Sequence, residues 1–363
     1  MPKIKEMDLK NKKILYELMI NSRFSYSTIA KRVRLSPNAV KNRIRLMQKE
    51  KIIKKFCTGI TRPNIGIHIQ NLVLIKFKNI DNIKKQEIIE ELKSIDRITQ
   101  IMRFQGRWDL GLVLICVNIF ELKNHINPIK NLMIDNIQDF EVNIINKQRL
   151  LQQFFFLESL EITPAKKYPN DGSLQADFPK KFIYDSSFKL TNLDLDILEI
   201  VANNCRLSFE EIAFKTKKDS QQIKYRMRRL VKNNIISKFF PVVDYKKMGY
   251  EKYMYFLKLK GTNLKKQKEL FLYIKSNNFA FDYMVSINNW DLILTFYSKY
   301  GSHTFDEINS NILNNYGDII YNSEILKILD EPKYESLQNN FSNFYKNELN
   351  DLINQRDFCQ ITD

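Results

Sequence analysis

The sequence predicts an α+β protein built twice over, and three observations carry that prediction. A shift of 183 residues superposes the two halves of the chain. Each half opens on three short helical patterns, and each closes on a strand, helix, strand, strand, helix, strand pattern.

The repeat can be followed residue by residue. Ile14-Leu15 falls on Ile197-Leu198, Asn21 on Asn204, Arg23 on Arg206, Ser25 on Ser208 and Ile29-Ala30 on Ile212-Ala213. The same shift carries Lys41 onto Lys224, Arg43 onto Arg226, Arg45 onto Arg228, Ile52-Ile53 onto Ile235-Ile236 and Lys55-Phe56 onto Lys238-Phe239. A one-residue adjustment then superposes Trp108-Asp109-Leu110 on Trp290-Asp291-Leu292, which contain the only two tryptophans of the chain. Agreement at this density marks a duplication that spans both parts of each half.

In the first copy, Asp8 caps a helix to about Met19 on which Ile14, Leu15 and Leu18 recur at helical spacing. A short helix from Ser25 to Val33 turns Ile29 and Ala30 inward, and a few residues later Ser36-Pro37 opens a third helix to about Lys49. Two short helices at this spacing form a helix-turn-helix. On the third helix Val40, Ile44 and Met47 face inward, while Asn38, Lys41, Asn42 and Arg45 form an outward stripe at i, i+3, i+4, i+7. Amides and cations on one exposed face are what major-groove reading needs, because asparagine pairs bidentately with adenine, and lysine or arginine with guanine. The alternating segment Lys54-Lys55-Phe56-Cys57-Thr58-Gly59, followed by Arg62, reads as a basic β-wing lying against phosphates. The phosphate contacts expected are Lys31, Arg32, Arg34, Lys54 and Lys55, with Ser36 at the head of the recognition helix.

The second copy repeats this with Thr191 and Asp194 as cap and position-three acid, and a recognition helix from Asp219 to about Lys232. Ile223, Met227 and Leu230 face inward and Gln221, Lys224, Tyr225 and Arg228 outward. Glu210, Glu211 and Phe214 on its preceding helix predict a weaker grip on phosphate.

Downstream of each wing the six-element order is the split βαβ of ferredoxin-like folds. In copy one it runs from a strand at Leu72 to Lys78, through helix Ile83 to Ile95, a hairpin of Ile98 to Phe104 with Asp109 to Val117, and a helix from Ile119 interrupted at Pro128, to a strand at Asp139 to Lys147. Copy two repeats it from Tyr253 to Ile328. Helices cover one face of such a sheet, so a second copy of the same sheet is the natural cover for the other. Gly106, Trp108 and Asp109, with Trp290 and Asp291, sit in the hairpin turns, either lining an effector pocket or simply packing a tryptophan beneath the turn. The expected domains are therefore a winged helix-turn-helix at 1–62, a ferredoxin-like effector and dimerisation domain at 68–160, a linker at 161–188, a second winged helix-turn-helix at 189–247, a second ferredoxin-like domain at 250–330, and a helical tail at 331–363.

Charge agrees with a polyanionic partner. Of a formal net charge of +17, residues 1–62 carry about +13 and residues 189–247 about +6, while the tail after Leu329 carries about −4. Cys57, Cys116, Cys205 and Cys359 show no CxxC spacing, so neither metal nor disulfide framework is expected, and a reducing cytoplasm is. No apolar run approaches membrane-spanning length, and nine glycines include no phosphate-cradling pattern.

Ile14-Leu15, Asn21-Ser22-Arg23, Ile29-Ala30-Lys31, Leu35-Ser36, Val40, Arg43-Ile44 and Ile52-Ile53 resemble the helix-turn-helix signature of the Lrp/AsnC (feast/famine) transcription regulators, and Gly106 with Asp109 resembles the turn of that family's effector-binding RAM domain. The likeness covers nearly all of the chain, twice. It implies a double-stranded DNA partner, paired sheet domains within the chain, a homo-oligomer, and an effector such as an amino acid, with no cofactor, metal, membrane or catalytic residue. In copy two Lys218-Asp219 stands where the family has Leu-Ser, and Asn288 stands where copy one has Gly106. Siroheme decarboxylases resemble the same tandem architecture, which makes a tetrapyrrole enzyme the alternative. His68, His125 and His303 do not repeat between the copies, and no acid-base constellation is evident, so a non-enzymatic regulator is the expected reading.

Overall fold

A computed structural model describes residues 7–151, 156, 189–261, 263–337 and 341–346. They gather into two compact units, each assembled from both copies of the repeat. One unit draws on the described residues of 7–68, 189–244 and 335–346, the other on those of 69–156 and 245–334. The expected linker at 161–188 lies outside the described residues.

The first unit contains both helix-turn-helix modules. In copy one these are α1 (Leu9–Ile20), α2 (Tyr26–Val33) and α3 (Pro37–Lys49), followed by strand β1 (Ile53–Ile60). Each helix starts on a side-chain cap: Asp8 accepts from the Asn11 amide at 2.7 Å, Ser25 from Thr28 at 3.0 Å and Ser36 from Ala39 at 3.1 Å. These satisfy amide donors that have no partner within the helix, at about 1 kcal/mol per cap. Ile14, Leu15, Leu18, Ile29, Ala30, Val33, Val40, Ile44 and Met47 are all buried where the three helices meet. Burying each large aliphatic side chain contributes about 1.5–3 kcal/mol.

Copy two supplies α6 (Asn192–Asn203), α7 (Phe209–Thr216), α8 (Ser220–Lys232) and β6 (Ile236–Val243). Thr191 and Asp194 close a reciprocal capping box, as do Ser208 and Glu211. Both turns into the recognition helices pass through a left-handed residue, Arg34 with φ 56° and Lys217 with φ 54°.

The expected wing strand of each copy pairs with that of the other. β1 pairs antiparallel with β6 of the other copy, from Ile53 opposite Val243 to Ile60 opposite Ile236. Each strand also packs on the first helix of the other copy, β1 on α6 and β6 on α1. An isolated eight-residue strand would leave its buried N–H and C=O groups unpaired. The duplicated strand supplies the missing ladder.

In the second unit, copy one contributes β2 (Ile69–Phe77), α4 (Asn82–Ser94), β3 (Ile98–Gln105), β4 (Leu110–Cys116), α5 (Ile119–Leu132) and β5 (Ile137–Leu150). Copy two contributes β7 (Tyr250–Leu259), α9 (Leu264–Ser276), β8 (Ala280–Ile287), β9 (Leu292–Lys299), α10 (Thr304–Tyr316) and β10 (Ile320–Tyr334). This is the expected βαββαβ order, twice. The two sheets join edge to edge, β5 to β8 and β10 to β3, into a closed barrel ordered β10-β3-β4-β2-β5-β8-β9-β7. Closure removes the edge strands that would otherwise invite aggregation.

Alternation along the strands sorts side chains between the interior and the helix-covered outside. Leu72, Leu74, Met102, Phe104, Val113, Met254, Phe256, Met284, Ile293, Leu326 and Ile328 meet inside, together with both tryptophans. Val73, Ile75, Leu112 and Leu114 turn outward beneath α4 and α5, as Tyr255, Leu257, Leu292 and Leu294 do beneath α9 and α10. Pro128 does not interrupt α5, which runs through it. Both Pro128 and Asn124 one turn earlier are exposed, so water can solvate the carbonyl that loses its partner.

Candidate nucleic-acid interface

Every residue of the predicted reading stripe on α3 is exposed: Asn38, Lys41, Asn42 and Arg45. The helix is anchored from beneath by Val40, Ile44 and Met47 and at its side by Arg43, which donates to Asp8 at 2.6 Å and Asn11 at 2.9 Å. The cations on the outward face are therefore separated from the one that holds the helix in place. On α8 the same division recurs. Gln221, Lys224, Tyr225 and Arg228 are exposed, Ile223, Met227 and Leu230 are buried, and Arg226 reaches Asp194 at 3.3 Å.

Around α3, Lys31, Arg34 and the capping Ser36 are exposed, but Arg32 is placed elsewhere than expected. Its guanidinium donates to Glu17 at 2.7 Å and stacks over Phe24 at 4.3 Å, with its side chain only 20% exposed. An arginine committed to a partly desolvated ion pair is held against its own module rather than offered to phosphate. Burial raises the Glu17 carboxyl above its usual range despite that partner. Lys54 is exposed and lies 3.7 Å from Asp244, whereas Lys55, on the ribbon, is half-buried.

The two modules are fastened by a reciprocal pair that the sequence shows only as matched letters. Arg23 donates through Nη1 to the carbonyls of Cys205 at 2.5 Å and Leu207 at 2.9 Å, and stacks over Phe209. Arg206 donates in return to the carbonyls of Ser22 and Phe24, and stacks over Tyr26. Backbone bonds from Ser22 to Phe239 and from Cys205 to Phe56, each 3.0 Å, complete the lock. Sequence reasoning aligned Arg23 with Arg206 without seeing that each serves the other copy. Their identity in both copies was the available signal.

The described cysteines are buried, and burial pushes the thiols of Cys57 up to about 11 and of Cys116 and Cys205 up to about 12. They are unreactive packing residues. No group of three or more metal-ligating side chains occurs among the described residues.

The expected effector residues occupy tight places in the barrel. Trp108 and Trp290 are 1% and 3% exposed, in the interior core. Burial alone would raise the Asp109 carboxyl, but the Phe77 amide at 3.0 Å, Lys76 at 3.1 Å and Lys85 at 3.3 Å hold it below its usual range. Asp291 likewise accepts from the Leu259 amide at 2.7 Å and from Lys258 at 3.2 Å. Gly106 turns at φ 144°, and a Cβ there would lie 2.7 Å from Leu326. Asn288 makes the equivalent turn at φ 121° and directs its amide to the Val142 carbonyl at 2.7 Å. These residues pack and clamp the hairpins.

Comparison with known proteins places this geometry. Residues 7–48 match the model of the AsnC-type helix-turn-helix domain, and residues 190–237 that of a winged helix-turn-helix DNA-binding domain. Relatives include an uncharacterized HTH-type transcriptional regulator of Pyrococcus horikoshii, 25% identical over 122 residues that span 34% of this chain and 80% of that protein. The transcriptional regulator AzlB of Bacillus subtilis is 24% identical over 120 residues, covering 33% and 76%. Ptr1 of Methanocaldococcus jannaschii is 28% identical over 110 residues, covering 30% and 72%. Such proportions are those of one relative to one copy of the repeat. Across the whole chain the fold is shared with the siroheme decarboxylase NirDL, at 12% identity and a TM-score of 0.59, covering 95% of this chain and 99% of that one. The chain thus carries two helix-turn-helix segments, one matching the AsnC-type domain and one a winged DNA-binding domain, in a tandem two-copy fold.

Proposed function

We propose that the chain is a sequence-specific double-stranded DNA-binding transcription regulator whose two recognition helices, α3 and α8, enter major grooves of one duplex. The carrying observation is the exposed amide-and-cation stripe at i, i+3, i+4, i+7 on α3, repeated on α8 with both cations kept. Asn38, Lys41, Asn42 and Arg45, with Gln221, Lys224, Tyr225 and Arg228, read base edges. Lys31, Arg34, Lys54, Lys55 and the first-turn amides behind Ser36 set the register on phosphate. Affinity is therefore steeply salt-dependent.

Lys41→Ala is expected to lose about 1–3 kcal/mol of discrimination at one base position, while Lys54→Ala weakens all sequences about equally. Competition binding on a specific and a scrambled duplex checks both. A uniform loss from Lys41→Ala would sink its base-reading role.

The fold shared with a siroheme decarboxylase supports a second reading, in which the barrel serves a tetrapyrrole. The chain's own residues favour the regulator. His68 precedes β2, His125 sits on α5 beside Glu121, and His303 is 88% exposed at the head of α10. The barrel interior holds a cluster of aliphatic, methionine, phenylalanine and tryptophan side chains, with Glu141, Asn143, Asp282 and Ser286 buried on the same strands. Adding siroheme to the protein is expected to leave its Soret band unshifted, and a shifted, saturable band would restore the enzymatic reading. The amino-acid effector that the resemblance implies is tested by isothermal titration, with heat from none of the amino acids removing it.

A further inference from the structure

The four contact positions differ between the copies in a way that bears on the shape of the operator. The cations are preserved: Lys41 and Lys224 occupy one position, and Arg45 and Arg228 another, all exposed. At the first position Asn38 becomes Gln221, which keeps the carboxamide. At the remaining position Asn42 becomes Tyr225, a residue 58% exposed whose ring lies beneath the Arg229 guanidinium at 5.9 Å. A cation over the ring steadies an aromatic side chain that has no core to hold it. The chemistry offered at this point changes from a bidentate amide, suited to adenine N6 and N7, to an apolar ring edge, suited to the thymine methyl.

The relation between the modules determines how such a difference appears on DNA. The Arg23–Arg206 exchange is reciprocal and the β1–β6 ribbon is antiparallel, so the two modules are related by an approximate two-fold axis. Two-fold related recognition helices read inverted half-sites, and identical subunits read identical ones. Here the helices are not identical, and both belong to one chain, so neither half can be exchanged for a copy of the other.

We propose that this protein reads a directional operator, an inverted repeat whose halves agree at the positions read by Lys41/Lys224 and Arg45/Arg228 and differ at one. At that position α3 selects adenine through Asn42, and α8 selects thymine on the equivalent strand through Tyr225. The inference rests on the DNA-binding reading above and specifies its target. A second difference lies beside it: Phe214, 87% exposed, replaces Lys31 on the helix preceding α8. The second half-site thus loses a cation while gaining an apolar reader.

The test selects bound duplexes from a random pool with the full chain at moderate salt, then repeats the selection with Tyr225→Asn and with the swap Asn42→Tyr/Tyr225→Asn. Wild type is expected to yield a two-part inverted motif with adenine in one half and thymine at the equivalent place in the other. Preference there is expected to be about tenfold over the alternative base pair. Tyr225→Asn should make the motif symmetric. The swap should reverse its orientation, visible as reversal of hydroxyl-radical footprints placed by cleavage chemistry tethered to one module. Both substitutions are at exposed positions, and an unchanged thermal unfolding curve verifies that the fold is kept. A symmetric wild-type motif, or a Tyr225→Asn motif identical to wild type, overturns the directional operator while leaving DNA binding intact. A pool with no enriched sequence overturns the sequence-specific reading itself.

Discussion

In the first helix-turn-helix, Arg32 bridges to Glu17 and stacks over Phe24, closing the space between α1 and α2. In the second, the same three positions hold Lys215, Ile200 and Leu207, and the protein has a groove of about 630 Å³ lined by these residues with Asp196, Glu199, Asn203, Asn204, Thr216 and Lys217. The tail reaches its rim, where Ser342 bonds to Asp196 at 3.2 Å and Glu199 at 3.3 Å, and Phe341 of the short helix α11 (Phe341–Phe344) is fully buried. Two modules with matching helices, caps and left-handed turns thus differ in what fills the seam between α1 and α2 or between α6 and α7. The duplication kept the residues that shape each module and those that lock the pair. It let the seams and reading faces diverge.

The largest expected effect tests the lock that makes the comparison possible. Arg23→Ala removes a desolvated guanidinium and leaves the Cys205 and Leu207 carbonyls without it, which is expected to cost about 3 kcal/mol in urea unfolding. Arg206→Ala should cost a similar amount, and a cost under about 0.5 kcal/mol for both would dissolve the lock.

Next is Lys238, buried in the ribbon where copy one has the half-buried Lys55. Burial pulls its ammonium down to about 8 from the ordinary lysine value. Below pH 8 the lysine is protonated both folded and unfolded, so the burial penalty is fully present. As pH rises from about 8 toward 10.5 the folded protein gives up the proton first and the penalty fades. Lys238→Met is therefore expected to stabilise the protein by about 3 kcal/mol at pH 7 and by little above pH 10.5. Thermal unfolding at both pH values checks this, and an equal effect at the two would refute it.

Arg32→Ala should cost about 1–2 kcal/mol, whereas Lys215→Ala, at the exposed equivalent, should cost almost nothing. Loss of Arg32 leaves Glu17 buried with its proton affinity already raised. A carboxyl with a raised folded-state value loses stability as pH climbs through it, so the Arg32→Ala cost should shrink on going from pH 7 to about pH 4. The smallest effect is at Phe214: Phe214→Lys restores the copy-one cation and should steepen the salt dependence of DNA binding by about one counterion. An unchanged salt slope would place residue 214, and by analogy Lys31, away from phosphate.

Much of this was legible in the linear chain. The caps at Ser25, Ser36 and Thr191, the inward stripes of α3 and α8 and the outward ones all follow from helical spacing, which is local and survives in any tertiary setting. The exposure of Asn38, Lys41, Asn42 and Arg45 follows from the burial of Val40, Ile44 and Met47. Arg32 was misplaced because its partner, Glu17, lies on another helix, and nothing in a basic run distinguishes a cation facing solvent from one turned inward to a carboxylate.

By itself, the sequence determined the duplication, the order of elements in each copy, and which side of each recognition helix faces outward. Only the tertiary structure decided that β1 ladders with β6 of the other copy, that the two ferredoxin-like sheets close into one barrel through β5–β8 and β10–β3, and that Trp108 and Trp290 belong to its interior. The physical reason is the difference between periodicity and pairing. Alternation tells a strand which face to bury, but its N–H and C=O groups accept any neighbour of suitable register, and that choice is made by chain segments far away in sequence.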